Sequence, residues 1–222
     1  MSYYDSSSQS YFAIKPTDFL GVIPKMIVKE NDTVKVGTPI FFDKNKPEIV
    51  FSAPVSGKIV SINRGPKRVI EEVVILSDNK EEYETFECQD SRNRDDVVKT
   101  LLSSGLWPLI RQKPYSVIPD PNDIPKSIFI SSFDSSPLAP YYNFILKDHE
   151  DDFQNGIDII SRLTKGKVYL NIDANSDQHN IFNNITGVVT SVFSGPHPSG
   201  NVGVQIHHIQ PINKGDKVWY IN

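Results

Sequence analysis

A single cysteine, Cys88, stands in 222 residues. It excludes an internal disulfide, a cysteine-cluster metal site and cysteine-ligated iron–sulfur chemistry, and it reads as a cytosolic chain. No stretch approaches the roughly 20 apolar residues of a spanning helix, and the N-terminal MSYYDSSSQS has neither a basic start nor an apolar core, so no membrane span or secretory leader is expected. There is no run of Lys or Arg, and 23 basic against 27 acidic residues give a net charge of −4; this argues against nucleic-acid binding. Nor is there a Gly-x-Ser-x-Gly elbow, which leaves a hydrolase reading without a nucleophile. The acidic pair Asp151 and Asp152 sits at an expected helix start, where the helix dipole is sufficient explanation. His207 and His208 are adjacent, about 100° apart on a helix, and so cannot share a metal as an i, i+4 pair would. No metal site is expected.

The apolar residues that are present fall into two textures. Residues 1–10 are polar and Ser-rich and read as a disordered leader. From 11 to 78 short apolar runs, at Met26–Val28, Ile40–Phe42, Ile49–Phe51, Lys58–Ile62 and Val69–Leu76, alternate with Gly, Pro, Asn and Asp turns, predicting an all-β module. An acidic linker over 79–94 follows. From 95 to 222 the pattern alternates. A helix capped by Asp95 or Asp96 ends at Gly105, and a Pro-rich cationic loop spans Trp107–Pro125. A buried strand at Ser127–Ser132 precedes a helix over Asp148–Leu163 stopped by Gly166. Strands at Lys167–Ile172 and Gly187–Phe193, a helix over Ser199–His208 and a strand at Val218–Ile221 complete it. Strand–helix–strand succession predicts a parallel sheet with crossover helices, a Rossmann-like α/β domain.

Glu30, Asp32, Val34, Gly37, Ala53, Pro54 and Gly57 together resemble the biotinyl/lipoyl-carrier fold, a barrel-sandwich hybrid in which glycines permit the bends between strands. Counting eight residues back from Pro54 reaches Lys46, in the turn DKNKPE, the position at which a carrier bears its modified lysine. Pro47 follows it directly and restricts Lys46 to extended geometry, so a solvated hairpin lysine is the plainer reading and a lipoyl or biotin carrier the alternative.

NRGPKRVIEEVVI at 63–75, SGLWPLIRQKPYSVIPDP at 104–121, FDSSPLAP at 133–140 and SGPHPSGNVGVQIHHIQPI at 194–212 resemble, in order, the A subunits of the Na⁺-translocating NADH:quinone reductases. The resemblance covers nearly the whole chain from Tyr11 and implies a chain shortened at both ends relative to the family. It also implies a peripheral subunit on the cytoplasmic side of the bacterial inner membrane, partnered by the other subunits and above all by the quinone-side membrane subunit. Such a complex passes electrons from NADH through flavins and an iron–sulfur centre to ubiquinone and exports Na⁺; this chain is expected to bind none of these cofactors and to lack catalytic activity when isolated. Distant relatives, flavin-binding subunits of respiratory NADH dehydrogenases and ferredoxin:NAD reductase complexes, carry a Gly-Arg-Gly-Gly-Ala-Gly-Phe loop where this chain has Gly105 alone, with Trp107, Leu109, Ile110 and Arg111 following. Bulky side chains there obstruct the close backbone approach that a flavin phosphate needs. An electron-transfer subunit that still binds flavin or NADH is the enzymatic alternative.

Two loops hold the binding candidates, and no catalytic residue is assigned. Trp107, Arg111, Lys113 and Tyr115 combine cations and a phenol with an apolar wall, a combination suited to an anion or a quinone carbonyl, or to docking a neighbouring subunit. His197 and Ser199 lie in Gly195–Gly200, between an expected strand and helix, where backbone amides can meet a phosphate or carboxylate. Pro196 and Pro198 remove two of those donors and the three-glycine dinucleotide spacing is absent.

Overall fold

A computed structural model describes residues 9–87, 90–175 and 181–221. Residues 1–8 of the expected leader, and Cys88, lie outside them. The contacts divide the chain into two compact units, 1–87 with 99–108, and 88–98 with 109–222. Residues 99–108, which the sequence pattern assigns to the α/β domain, therefore pack with the β module.

In the first unit every strand is short because a turn-former interrupts each apolar run. The strands are β1 (Tyr11–Ile14), β2 (Pro24–Met26), β3 (Thr33–Val34), β4 (Pro39–Asp43), β5 (Lys46–Ser52), β6 (Gly57–Arg64) and β7 (Ile70–Ser77). They form two antiparallel sheets, ordered β1-β7-β6-β3 and β2-β4-β5. Ile40, Phe41, Ile49, Phe51, Ile59, Val73 and Ile75 are buried, and the Phe41 and Phe51 rings stack at 4.5 Å. Pairing of β2 stops at Met26, two residues before the end of its apolar run, because Ile27 and Val28 both donate to the Ile40 carbonyl. The carboxylates of the carrier-like signature hold backbone amides: Asp32 closes a turn by accepting from the Lys29 amide at 2.8 Å, and Glu30 accepts from the Ile62 amide of β6 at 3.0 Å. Gly57 adopts φ +151°, and a Cβ there would collide with the carbonyl of Leu76.

The second unit contains α1 (Arg94–Ser103, shared at its end with the first), β8 (Arg111–Lys113), β9 (Ser127–Ser131), α2 (Tyr142–Ile145), α3 (Glu150–Ser161), β10 (Lys167–Asp173), β11 (Val189–Phe193), α4 (Val202–Ile209) and β12 (Val218–Ile221). One sheet runs β11-β10-β9-β12-β8, parallel throughout except for β8. Every residue of β9 is buried. Phe129 and Tyr169 face α4 with Val202, Ile206, Val218 and Tyr220, while Ile130 faces the α3 side with Ile157.

Several local expectations are corrected. The cap of α1 is Asn93, whose side chain accepts from the Asp95 amide at 3.1 Å; Asp95 and Asp96 sit inside the first turn. The cationic loop contains a strand, β8, paired antiparallel to β12. Gly166 does not end α3, which closes at Ser161; it is glycine because a Cβ would strike the Lys126 carbonyl. Strand β11 begins at Val189 and α4 at Val202, with Asn201 as its cap.

Helix α4 is fixed to the sheet by buried amides. Asn171 Nδ2 donates to Gln205 Oε1 at 2.8 Å, and Gln205 Nε2 donates to Ser131 Oγ at 3.1 Å and to the Ser199 carbonyl at 3.2 Å. Asn171 and Gln205 are fully buried, and Asn171 Oδ1 has no partner among the described residues.

Two substitutions test this account. Gly57→Ala forces a side chain into a carbonyl at positive φ and is expected to cost the first unit at least about 2 kcal/mol in denaturant unfolding. Gln205→Ala strands the Asn171 amide and is expected to cost about 2–4 kcal/mol, part of which the double change with Asn171→Leu restores, since burying no polar partner costs less than burying one.

Candidate functional site

The strand order determines where a site can form. From β9 the chain proceeds through α2 and α3 to β10 and β11 on one side, then returns through α4 to β12 on the other. The loops leaving β9 and entering α4 thus diverge at the carboxyl edge of the sheet, the switch point at which open α/β sheets leave a crevice. A cavity of about 150 Å³ lies there, between Phe133 and Asp134 after β9, Gly200 to Val202 at the start of α4, and Tyr220 of β12. Lys113, Ser136, Tyr142 and His197 complete its wall.

Short polar links hold the two loops together. Ser135 Oγ accepts from the Gly200 amide at 2.8 Å and lies 3.1 Å from His197 Nδ1. Gly200 leaves no room for a Cβ, since one would meet the backbone of Asp134 and Ser135. Asp134 Oδ1 accepts from both the amide and the hydroxyl of Ser136, at 2.8 and 2.7 Å. Those bonds, and secondarily the charge of His197, hold the Asp134 carboxyl below its ordinary range, so it is ionised at neutral pH. Partial burial, and then the Asp134 charge, push the Tyr142 phenol up, keeping it a protonated donor. Lys113 Nζ donates to Ser116 Oγ at 2.8 Å and sits 5.2 Å from the Tyr220 ring centroid. The arrangement can bind and orient a small polar group.

The sequence candidates separate clearly. Lys113 and His197, 84 positions apart, line the same cavity. Arg111 pairs with Tyr220 across β8 and β12 and lies outside the lining, its guanidinium held below the ordinary value by burial. Tyr115 is 74% exposed and is not part of the cavity's wall. Ser199 donates its hydroxyl to the Gly195 carbonyl at 3.0 Å. Trp107 is corrected: it is fully buried and belongs to the first unit, so its bulk serves packing, and it is not part of the switch-point cavity's wall. Gly105, at φ +73°, ends α1 and gives the room that Ser52 occupies. Lys46 starts β5 opposite Asp43, and the tip of that hairpin is Lys44–Asn45. His207 and His208 are exposed on α4, and no group of three or more His, Cys, Asp or Glu able to hold a metal occurs among the described residues.

Asp134, Ser136, Tyr142, Asn201 and Tyr220 are not among the candidates that the sequence offers. A signal exists for the first two: Asp-x-Ser directly after a wholly buried strand marks the carboxyl edge of a parallel sheet, and Asp134 caps the turn that follows.

Comparison with known proteins covers both units. Residues 2–78 match the family model of the NqrA N-terminal barrel-sandwich hybrid domain, and residues 92–222 that of the NqrA second alpha/beta domain. The A subunit of the Na(+)-translocating NADH-quinone reductase of Histophilus somni is 38% identical over 214 residues, 95% of this chain and 48% of that protein. The corresponding proteins of Actinobacillus pleuropneumoniae and Neisseria meningitidis are each 38% identical over 99% of the chain, and 50% and 49% of their own lengths. The chain spans about half the length of the curated relatives it matches. With both of its domains matched in order, the chain belongs to the NqrA family, the A subunits of the Na⁺-translocating NADH-quinone reductases.

Proposed function

We propose that this chain acts as a peripheral subunit of a Na⁺-translocating NADH:quinone reductase, on the cytoplasmic side of the inner membrane, docked to the membrane subunit on the quinone side. The observation that carries this reading is the ordered match of a barrel-sandwich unit and an α/β unit to the two corresponding NqrA domains. The role is structural and near the quinone, and the redox chemistry of NADH, flavins, the iron–sulfur centre and ubiquinone belongs to the other subunits.

Three features support the division of labour. No helix among the described residues is long and apolar enough to cross a membrane. The switch-point cavity, at about 150 Å³, is half the lower end of the roughly 300–1,000 Å³ typical of ligand and cofactor pockets. Leu109 and Tyr115, 61% and 74% exposed, flank edge strand β8 and give the α/β unit an apolar margin for a partner.

Tagging the protein in its native membranes is the direct test: co-isolation with integral membrane subunits and NADH:quinone reductase activity is expected, and recovery of the chain free of them would refute the assignment. The purified chain should neither oxidise NADH with an artificial acceptor nor perturb the visible band of added FMN; either response would favour the flavin- or NADH-binding alternative. Its intact mass should equal the sequence mass, whereas a lipoyl or biotinyl increment removed by Lys46→Arg would establish the carrier reading.

A further inference from the structure

The cavity at the switch point contains a cation with no ion-pair partner among the described residues. Lys113 forms no ion pair among the described residues; its only hydrogen-bond partner there is the Ser116 hydroxyl, at 2.8 Å. Its ammonium also stands where a helix already presents positive potential. A Cβ built on Gly203, in the first turn of α4, would lie 3.7 Å from Lys113 Nζ. A cation beside a helix N-terminus works against the dipole and is retained at a cost unless an anion joins the two. The amide of Val202, a buried residue at the first position of α4, has no acceptor among the described residues, whereas the next amide, of Gly203, is taken by Asn201 Oδ1 at 2.8 Å.

Asp134 is the one carboxylate in the lining, and it does not neutralise Lys113: its ionised form is stabilised by the Ser136 donors and by His197. A cavity lined by an ammonium, an amide without an acceptor among the described residues and a charged carboxylate suits an anion that keeps a hydrogen to donate. Phosphate and phosphomonoesters meet that condition near neutral pH; sulfate does not. The volume of about 150 Å³ admits a group of that size and little more.

We infer that this cavity binds a phosphate group, free or at the end of a small phosphomonoester, with Lys113 and the Val202 amide holding its oxygens and Asp134 accepting its hydrogen. Ser135 already ties the two loops that meet there, through the Gly200 amide and His197, and occupancy adds a charged bridge between the β9 and α4 loops. The inference goes beyond the assignment to the pump, and its failure would leave that assignment standing.

Amide-resolved NMR of the whole 222-residue chain tests it, titrating inorganic phosphate, glycerol phosphate and sulfate at constant ionic strength. Saturable shifts centred on Val202, Gly203 and His197 are expected with phosphate, with sulfate at least about tenfold weaker, the value of one charge-assisted hydrogen bond. Tighter binding of glycerol phosphate identifies an ester as the ligand, and binding of inorganic phosphate alone identifies the free anion; both support the site. Lys113→Met should weaken phosphate binding about 10- to 100-fold. Gly203→Asp supplies an internal carboxylate beside Lys113 and should abolish binding with an unchanged circular dichroism spectrum, which decides the matter even if Lys113→Met fails to fold. Shifts that never saturate, equal affinity for sulfate, or binding unaltered in either variant would overturn the inference.

Discussion

The amide bridge between Asn171 on β10 and Gln205 on α4 is the constraint on which the α/β unit turns. It is buried, so neither partner can exchange it for water, and each depends on the other for its desolvation to be tolerated. Through Ser131 and the Ser199 carbonyl the same bridge fixes the end of β9 and the turn before α4. Apolar contacts of Phe129, Tyr169, Val202 and Ile206 hold α4 against the sheet, but contacts of that kind allow a helix to slide, whereas directional bonds fix its rotation and height. The position of Asn201 and Val202 relative to Asp134 follows from that lock. So does the shape of the cavity they share.

Carboxylates and glycines of the first unit follow a related logic. Glu30 and Asp32, conspicuous in the carrier-like signature, serve backbone amides, that of Ile62 in β6 and that of Lys29 in the turn before Asp32. Gly57 and Gly105 each lie at positive φ with a neighbour pressed against the missing side chain, the Leu76 carbonyl in one case and Ser52 in the other. The β module is thus built by backbone proximity, and the conspicuous residues of its signature serve the bends.

How much of this is legible in the sequence depends on range. Ser127–Ser132 and Lys167–Ile172 read correctly as strands because a parallel strand covered on both faces must be apolar nearly throughout, and the order of strands and helices then implies the sheet. Strand β8 is illegible, since Arg-Gln-Lys at a sheet edge has no apolar alternation to betray it. Asp95 passes for a cap because Asn93, an equally good one, lies only two residues earlier. Lys113 and His197 stand out by charge and by their setting among prolines, but their convergence is invisible, because it is made by β12 and α4 crossing between segments far apart in sequence. Tyr142 and Tyr220 matter only through that convergence. Trp107 misleads for the opposite reason: in a loop rich in prolines and cations its ring looks available, while its size makes burial the stronger pull.

Strand β11 ends the sheet on the side away from β8, and among the described residues nothing pairs with its outer margin. Its sequence, Val-Thr-Ser-Val-Phe, contains no charge and no proline, and Val192 is 63% exposed. Natural sheets usually blunt such a border with lysine, proline or a bulge. A bare border of this kind recruits other strands, so the α/β unit is prone to self-association when prepared alone at high concentration, and adding a lysine at Val192 is the simplest remedy for anyone who needs it monodisperse.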